Sequence, residues 1–272
     1  MKALKTQHIA VILVLSVILS AVTAVPSVSA ATQSAQQYLE KMDVAVGSLK
    51  SYDFTQTTDQ KMTMEGQIIQ NKTVVNQSVY NSPLKVKSVT DTNTVLAGMN
   101  SKNQAVAYLT KDADGLLWEY ISSNGSGYQK TGILNYTNPI RGMDISMYSD
   151  AKIVKKKIKV NRINTVQISA QVKGSDVVKF LDQMGMSKEI NAEAAVDYNM
   201  LPTIKVTYWI DKKSYRPIKA AVDLKAFMNG YMSALYQKLG QDVTLAYSQA
   251  KATITYKNFN KATVFTIPQE CR

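Results

Sequence analysis

The chain has one histidine, His8, one cysteine, Cys271, and only two tryptophans among its 272 residues. His8 falls in a leader-like segment, so the rest of the chain has no imidazole at all. Without imidazole no Ser-His-Asp or Cys-His centre can be assembled, and histidine-based metal sites are excluded too. Carboxylate-only chemistry of the glycoside-hydrolase kind stays open in principle. The acids Asp53, Asp59, Asp91, Asp144, Asp176 and Asp223 are, however, scattered without a recognisable pairing. A lone cysteine excludes an internal disulfide, and Cys271, next to last, reads as an unused thiol. Asp112-Ala113-Asp114-Gly115 resembles the start of a calcium loop, but Glu119 comes too early to complete it. The expectation is a non-enzymatic protein without cofactor or metal.

Acidic residues are also in short supply. Thirty-two lysines and arginines face 20 acids, a formal charge of +12. Such a balance suits an anionic membrane or cell-wall surface, although excess lysine also simply keeps a protein soluble. No zinc finger, helix-turn-helix or RNP-type signature is present, so nucleic acid is not an expected partner. The basic run Lys152 to Arg162, KIVKKKIKVNR, fits an edge strand that lysines protect from pairing with other chains. Docking on anionic headgroups or wall phosphates is the competing use of the same residues.

The one long apolar run is at the start. Lys2 and Lys5 precede Ile9 to Val25, which only Ser16, Ser20 and Thr23 interrupt; Pro26 and the small residues of Val28-Ser29-Ala30 follow. This order of parts predicts a secretory signal peptide, residues 1–30, cleaved after Ala30. The alternative is an uncleaved N-terminal signal anchor, for which the run is short against the roughly 20 apolar residues of a spanning helix. Lipoprotein processing would need a cysteine at the new terminus, and none stands there. Residues 31–272 are then expected to form a single extracytoplasmic domain, secreted or in the cell envelope, large enough for a substantial core.

The mature chain opens with an amphipathic helix from Ser34, with Leu39, Met42, Val46 and Leu49 at three- and four-residue steps. Alternation follows. Val166, Ile168, Ala170 and Val172 are interleaved with polar residues, as are Ile204, Val206, Tyr208 and Ile210, and then Ile218, Ala220, Val222 and Leu224. Period-two alternation predicts antiparallel strands with one dry face. Turn chemistry separates them at Asn81-Ser82-Pro83, Asn124-Gly125-Ser126-Gly127 and Asp211-Lys212-Lys213-Ser214. Helical patterning returns after Ser175, in a short segment after Pro139, and from Asn229 to Leu239. The predicted architecture is α+β: a large curved antiparallel sheet with helices packed on its concave, apolar face.

Methionine is plentiful where helices are expected. Met143, Met147, Met184, Met228 and Met232 stand in these segments. Flexible, polarisable methionine suits a cavity that admits variable acyl chains, although an apolar helix face is ordinarily core. The expected ligand-binding set is these five methionines with the inward strand residues Tyr208, Ile210 and Val222.

Three stretches carry a resemblance: YLEKMDVAVGSLKSYDFTQTTDQKMTM (Tyr38 to Met64), VTYWIDKKSYRPIKAAVDL (Val206 to Leu224) and ATITYKNFNKATVFTIPQE (Ala252 to Glu270). Together they resemble the bacterial lipoprotein-carrier superfamily, the LolA-like proteins and their LppX- and LprG-like relatives. Asp211, Lys212, Lys213 and Pro217 match its turn between paired strands, and Phe259-Asn260 with Ile267-Pro268 its closing segment. The resemblance implies an unclosed half-barrel whose hollow, lidded by helices, receives a hydrophobic small molecule or lipid. LppX- and LprG-like members are generally lipid-anchored, which this chain is not equipped to be. A carrier of a lipid or acylated molecule is therefore expected. The alternative is an envelope sensor or protein-interaction module on the same fold.

Overall fold

The computed structural model describes residues 33–112, 115–132, 145–177, 196–238, 240 and 244–271. Eleven strands form one open antiparallel sheet in the order β6-β5-β4-β3-β2-β1-β11-β10-β9-β8-β7. The first half is a meander of long hairpins: β1 (Ser51–Met64), β2 (Gln67–Asn81), β3 (Leu84–Leu96), β4 (Met99–Lys111), β5 (Leu117–Ser123) and β6 (Gln129–Gly132). The second half is β7 (Tyr148–Val160), β8 (Ile163–Val172), β9 (Ile204–Asp211), β10 (Pro217–Asp223) and β11 (Leu245–Lys257). The halves join where β1 pairs with β11, from Asp53 opposite Lys257 to Met64 opposite Leu245. A 14-residue strand spans about 45 Å, and strands that long twist and curl. The result is an unclosed half-barrel.

Two helices lie on its concave face, α1 (Ala35–Gly47) and α2 (Lys225–Lys238). Ser34 caps α1 as read from the sequence: its hydroxyl accepts from the Gln37 N–H, and the Gln37 side chain returns a bond to the Ser34 N–H. Leu39 and Met42 of α1 are buried in the same cluster as Ile168 and Tyr208. Tyr38 rests on Tyr215 of the β9–β10 turn, with ring centres 5.9 Å apart. That turn is shaped by Asp211, whose carboxylate accepts from the Lys213 and Ser214 N–H groups.

α2 begins where β10 ends and packs on β11. Beyond Asp223, which faces Lys251, β11 has no strand partner on that side, and Asn229 fills the gap. Its amide donates to the Tyr247 carbonyl at 3.0 Å and accepts from the Tyr247 N–H at 2.6 Å, so backbone groups that would be left unpaired are satisfied. The next residue has to be small. A Cβ on Gly230 would stand 2.6 Å from the Pro202 ring, and one on Gly174 would stand 2.6 Å from the Leu201 Cβ. Leu201 and Pro202 are thus wedged between two glycines.

The basic run is β7, an edge of the sheet. Register shifts interrupt its pairing with β8 at three places, and Lys155, Lys156 and Lys157 are all exposed in succession. Bulges and lysines together keep an edge from pairing with another chain. Of the other helical expectations, that from Ser175 begins with a turn at 174–177, and that after Pro139 ends in a short 3-10 turn, Ile145–Met147. The rest of both, and the leader 1–30, lie outside the described residues.

The C-terminal segment departs from expectation. After β11 the chain crosses the convex face over β1 to β5 as a strap. Asp53, 3% exposed, holds it: the carboxylate accepts from Asn258 Nδ2 at 2.6 Å, Thr263 Oγ1 at 2.7 Å and the Thr263 N–H at 3.1 Å. Tyr80 donates to the Ala262 carbonyl, and Phe265 packs against Tyr80 and Tyr108. Lys85 lies over both the Tyr80 and Phe265 rings. Cys271, expected to be an unused thiol, is instead fully buried in this second cluster with Phe265, Tyr108 and Tyr120. A thiol behaves there as a small hydrophobe, and this is its structural use.

Burial pushes the Asp53 pKa up, but the hydrogen bonds from Asn258, Thr263 and Ser78 outweigh it and hold the carboxyl below its ordinary value. A depressed carboxyl stabilises the strap above the unfolded value of about 4 and loses that effect as pH falls through the folded one. Asp53→Ala should loosen the strap by about 1.5–3 kcal/mol, the usual worth of hydrogen bonds to a charged group. Labelling of Cys271 by a thiol reagent at neutral pH should then speed up roughly tenfold or more. The difference in strap proteolysis between the variant and the native protein should shrink below pH ~4. Equal labelling rates would show that Asp53 does not hold the strap.

Candidate hydrophobic ligand-binding face

The concave face is built by strand parity. Cross-strand partners point the same way, so the row Ile168, Tyr208, Ala220, Ile254 shares one face with the pairs Val166–Ile210 and Val222–Ala252 on either side of it. All eight are at most 4% exposed. α2 sets Phe227, Met228, Tyr231, Met232 and Tyr236 on this surface, and Asn229 and Gly230 fix its position there. Of the predicted set, Met228, Met232, Tyr208, Ile210 and Val222 fall in one buried apolar cluster, with Met147 half-buried against its margin. Met143 and Met184 lie outside the described residues.

On the β7–β9 side two tyrosine hydroxyls lie within this cluster. Tyr148 and Tyr208 share a hydroxyl–hydroxyl hydrogen bond of 2.7 Å, with their rings edge to face at 6.0 Å. Burial pushes Tyr148 up to about 12 and Tyr208 well above the ordinary phenol value, so both stay neutral. The groups that act on Tyr208 electrostatically are the phenols of Tyr148 and Tyr256. Among the described residues no group of three or more histidines, cysteines or acids could hold a metal ion.

The face changes character across the central strand. On β1 the inward positions after Tyr52 and Phe54 are Gln56, Thr58 and Gln60, opposite Ile254, Ala252 and Ala250 of β11. They are 2%, 4% and 5% exposed, as buried as the aliphatic residues beside them. β2 continues the polar zone with Thr73 opposite Thr58 and Asn71 opposite Gln60, and β3 with Thr92 opposite Thr73. Gln56 donates to Thr58, and the Thr73 and Thr92 hydroxyls meet at 3.4 Å. Among the described residues the Gln60 carbonyl oxygen and the Tyr247 hydroxyl are buried without a hydrogen-bond partner, and burial pushes the latter up to about 12. Sequence reading passed over this zone because its alternation sets polar residues on both faces; the signal was Gln56, Thr58 and Gln60 in phase with Phe54 and Met62. On the other side of the sheet a groove of about 400 Å³ is bordered by Lys72, Val74, Asp91, Asn93, Lys102 and Gln104.

The tyrosine pair gives a double-mutant test. Tyr208→Phe strands the Tyr148 hydroxyl in the core and should cost about 1–3 kcal/mol, whereas Tyr148→Phe with Tyr208→Phe should cost less than either single change. Chemical denaturation of the three variants measures the coupling, and additive losses would mean that the pair is not coupled.

Comparison with known proteins places this geometry. No curated protein matches the chain in sequence. Among solved structures the fold is similar to the Mycobacterium tuberculosis lipoprotein LppX, at 12% identity and TM-score 0.46, over 85% of this chain and 98% of that one. It is also similar to a putative outer membrane lipoprotein-sorting protein domain from Vibrio parahaemolyticus (10%, TM-score 0.28, 85% and 93%). A third likeness is to the MucA/MucB complex of Pseudomonas aeruginosa (11%, TM-score 0.29, 88% and 62%). The sequence pattern of a family of unknown function, DUF6612, matches residues 136–272. Half of the chain is covered by that match, and the protein belongs to DUF6612.

Proposed function

We propose that the protein is an exported, non-enzymatic carrier that holds a lipid or acylated molecule between the concave face of its sheet and the methionine-bearing segments. The observation that carries this reading is the assembly of Met147, Met228 and Met232 with Tyr208, Ile210 and Val222 in one apolar cluster of a sheet that does not close. Unbranched methionine side chains repack more readily than branched ones, so a lid built with them separates from the sheet at modest cost. Met143 and Met184 would belong to the same lid. Sites of this kind are mostly apolar with few polar groups, in keeping with a chain whose only histidine is His8. On this reading residues 1–30 direct export and are removed near Ala30. The exposed lysines of β7 then face an anionic membrane or wall surface.

Native mass spectrometry with lipid extraction, on protein purified from its own host, should find a bound lipid or acylated molecule. The purified protein should also take up a fluorescent fatty acid. Met147→Lys, at a half-buried position on the margin of the cluster, should weaken uptake at least tenfold, about 1.4 kcal/mol, with the thermal unfolding midpoint little changed. Protein that is empty throughout and takes up no fatty acid would sink the carrier reading.

A further inference from the structure

We infer that the polar zone of the concave face, centred on Gln60, receives the uncharged, hydroxyl-bearing headgroup of the ligand, so that the cargo is a neutral hydroxylated lipid. This rests on the carrier reading and adds the chemical class of its cargo. A core that only had to be filled would continue the aliphatic surface of β8 to β11. Instead, three consecutive inward positions of β1 are amide, hydroxyl and amide, each at least 95% buried. Buried polar groups are nearly always satisfied, and those that are not call for an explanation. Here the Gln60 carbonyl oxygen and the Tyr247 hydroxyl both lack a hydrogen-bond partner among the described residues. They lie on adjacent rows of one ladder, since Gln60 faces Ala250 and Met62 faces Tyr247. One is an acceptor, and the other can donate or accept. A hydroxyl group, which donates and accepts, is matched to that pair.

Charge narrows the class further. Gln56, Thr58, Gln60, Asn71 and Thr73, which share this face by register, carry no charge of either sign. A phosphate or carboxylate brought here would meet the Gln60 oxygen with no cation from these residues to offset it, which is costly away from water. The lysines of neighbouring positions, Lys61 and Lys72, stand at exposed positions. Met62, beside Gln60 on the same strand face, and Met228 and Met232 of α2 can repack to admit a headgroup. The aliphatic surface of β8 to β11 then takes the acyl chains, and β1 is the seam between chain and headgroup.

Binding of fluorescently tagged lipids to the intact mature protein tests this. The probes are a fatty acid, a diacylglycerol, a glycosyl diacylglycerol and phosphatidylglycerol. The diacylglycerol and glycosyl diacylglycerol should bind at least tenfold more tightly than phosphatidylglycerol, and the order of those two separates a glycerol hydroxyl from a sugar as the source. Gln60→Met, close in shape and without polar atoms, should abolish the neutral-over-anionic preference and preserve the unfolding midpoint. Tyr247→Phe should lower the preference in the same direction. Equal or tighter binding of phosphatidylglycerol would overturn the assignment, as would a preference unchanged by Gln60→Met, which would leave solvent as the partner of Gln60. The carrier reading survives either result, provided at least one of the probes binds. Failure of every probe to bind overturns both.

Discussion

The ladder between β1 and β11 is the pairing on which the rest depends. It brings Asp53 to Met64, near the start of the described chain, against Leu245 to Lys257, near its end. β1 stands sixth in the order of eleven strands. Without that ladder there would be two sheets, a six-stranded meander and a five-stranded unit, each with an open edge of unpaired backbone. Both covers of the sheet also begin beside it. α2 is tied to β11 through Asn229 and Tyr247, and the strap is tied to β1 through Asp53. One strand therefore serves the two faces through alternate residues, with Asp53 turned to the convex side and Phe54, Gln56, Thr58 and Gln60 to the concave. A register slip of one residue would exchange the two sets. Asp53 would then sit in the apolar hollow and Gln60 on the convex side, so the buried carboxylate fixes the register as well as the strap.

How much of this was legible follows from what alternation can report. β8, β9 and β10 have aliphatic inward and polar outward residues, and Val166 to Val172 and Ile204 to Ile210 could be read directly. The Ser34 cap, the Asp211 turn and the lysine-protected edge were legible because each depends on local chemistry. The meander was less so. β3 sets Ser88, Thr90, Thr92 and Thr94 on the same face as Val86, and β4 sets Ser101 and Asn103 there, so apolar–polar contrast is nearly lost. Such strands are specified by pairing partners that are distant in sequence or joined by turns, and a one-dimensional pattern does not report those. The strap was invisible for the same reason. Phe265, Ile267 and Cys271 look like a terminal tail until Tyr80, Tyr108 and Tyr120 are placed beneath them.

The two halves of the sheet also differ in what they share with other proteins. The DUF6612 match begins at residue 136 and so takes in β7 to β11, α2 and the strap, but none of the meander. The aliphatic part of the concave face lies inside the match, and Gln56, Thr58, Gln60 and Thr73 lie outside it. The acyl-binding part proposed for the ligand therefore lies in the matched half, whereas the headgroup-binding part straddles its border, with Gln60 outside the match and Tyr247 of β11 inside it. Chain-like surface is generic, because any aliphatic face accepts any alkyl chain. Discrimination among headgroups needs placed donors and acceptors, and here most of them stand on β1 and β2, which the family pattern does not describe, with Tyr247 facing them from the matched half.

The placement of fixed and adaptable contacts on the concave face has a physical logic. On the β7–β9 side, the Tyr148–Tyr208 hydrogen bond in a dry environment is directional, and breaking it strands two hydroxyls. At the start of α2, Asn229 binds Tyr247 through two hydrogen bonds, and Gly230 abuts Pro202. These contacts hold one geometry and resist a shift of even half an ångström. Between them the surface is Met228, Met232, Ile210 and Val222, joined only by dispersion and burial, which are non-directional and survive repacking. Directional contacts thus sit at the borders of the apolar surface and adaptable ones at its centre. On the proposed carrier reading, cargo entering at the centre would only have to exchange one set of apolar contacts for another, and the hydrogen bonds that hold the half-barrel in shape would be left in place.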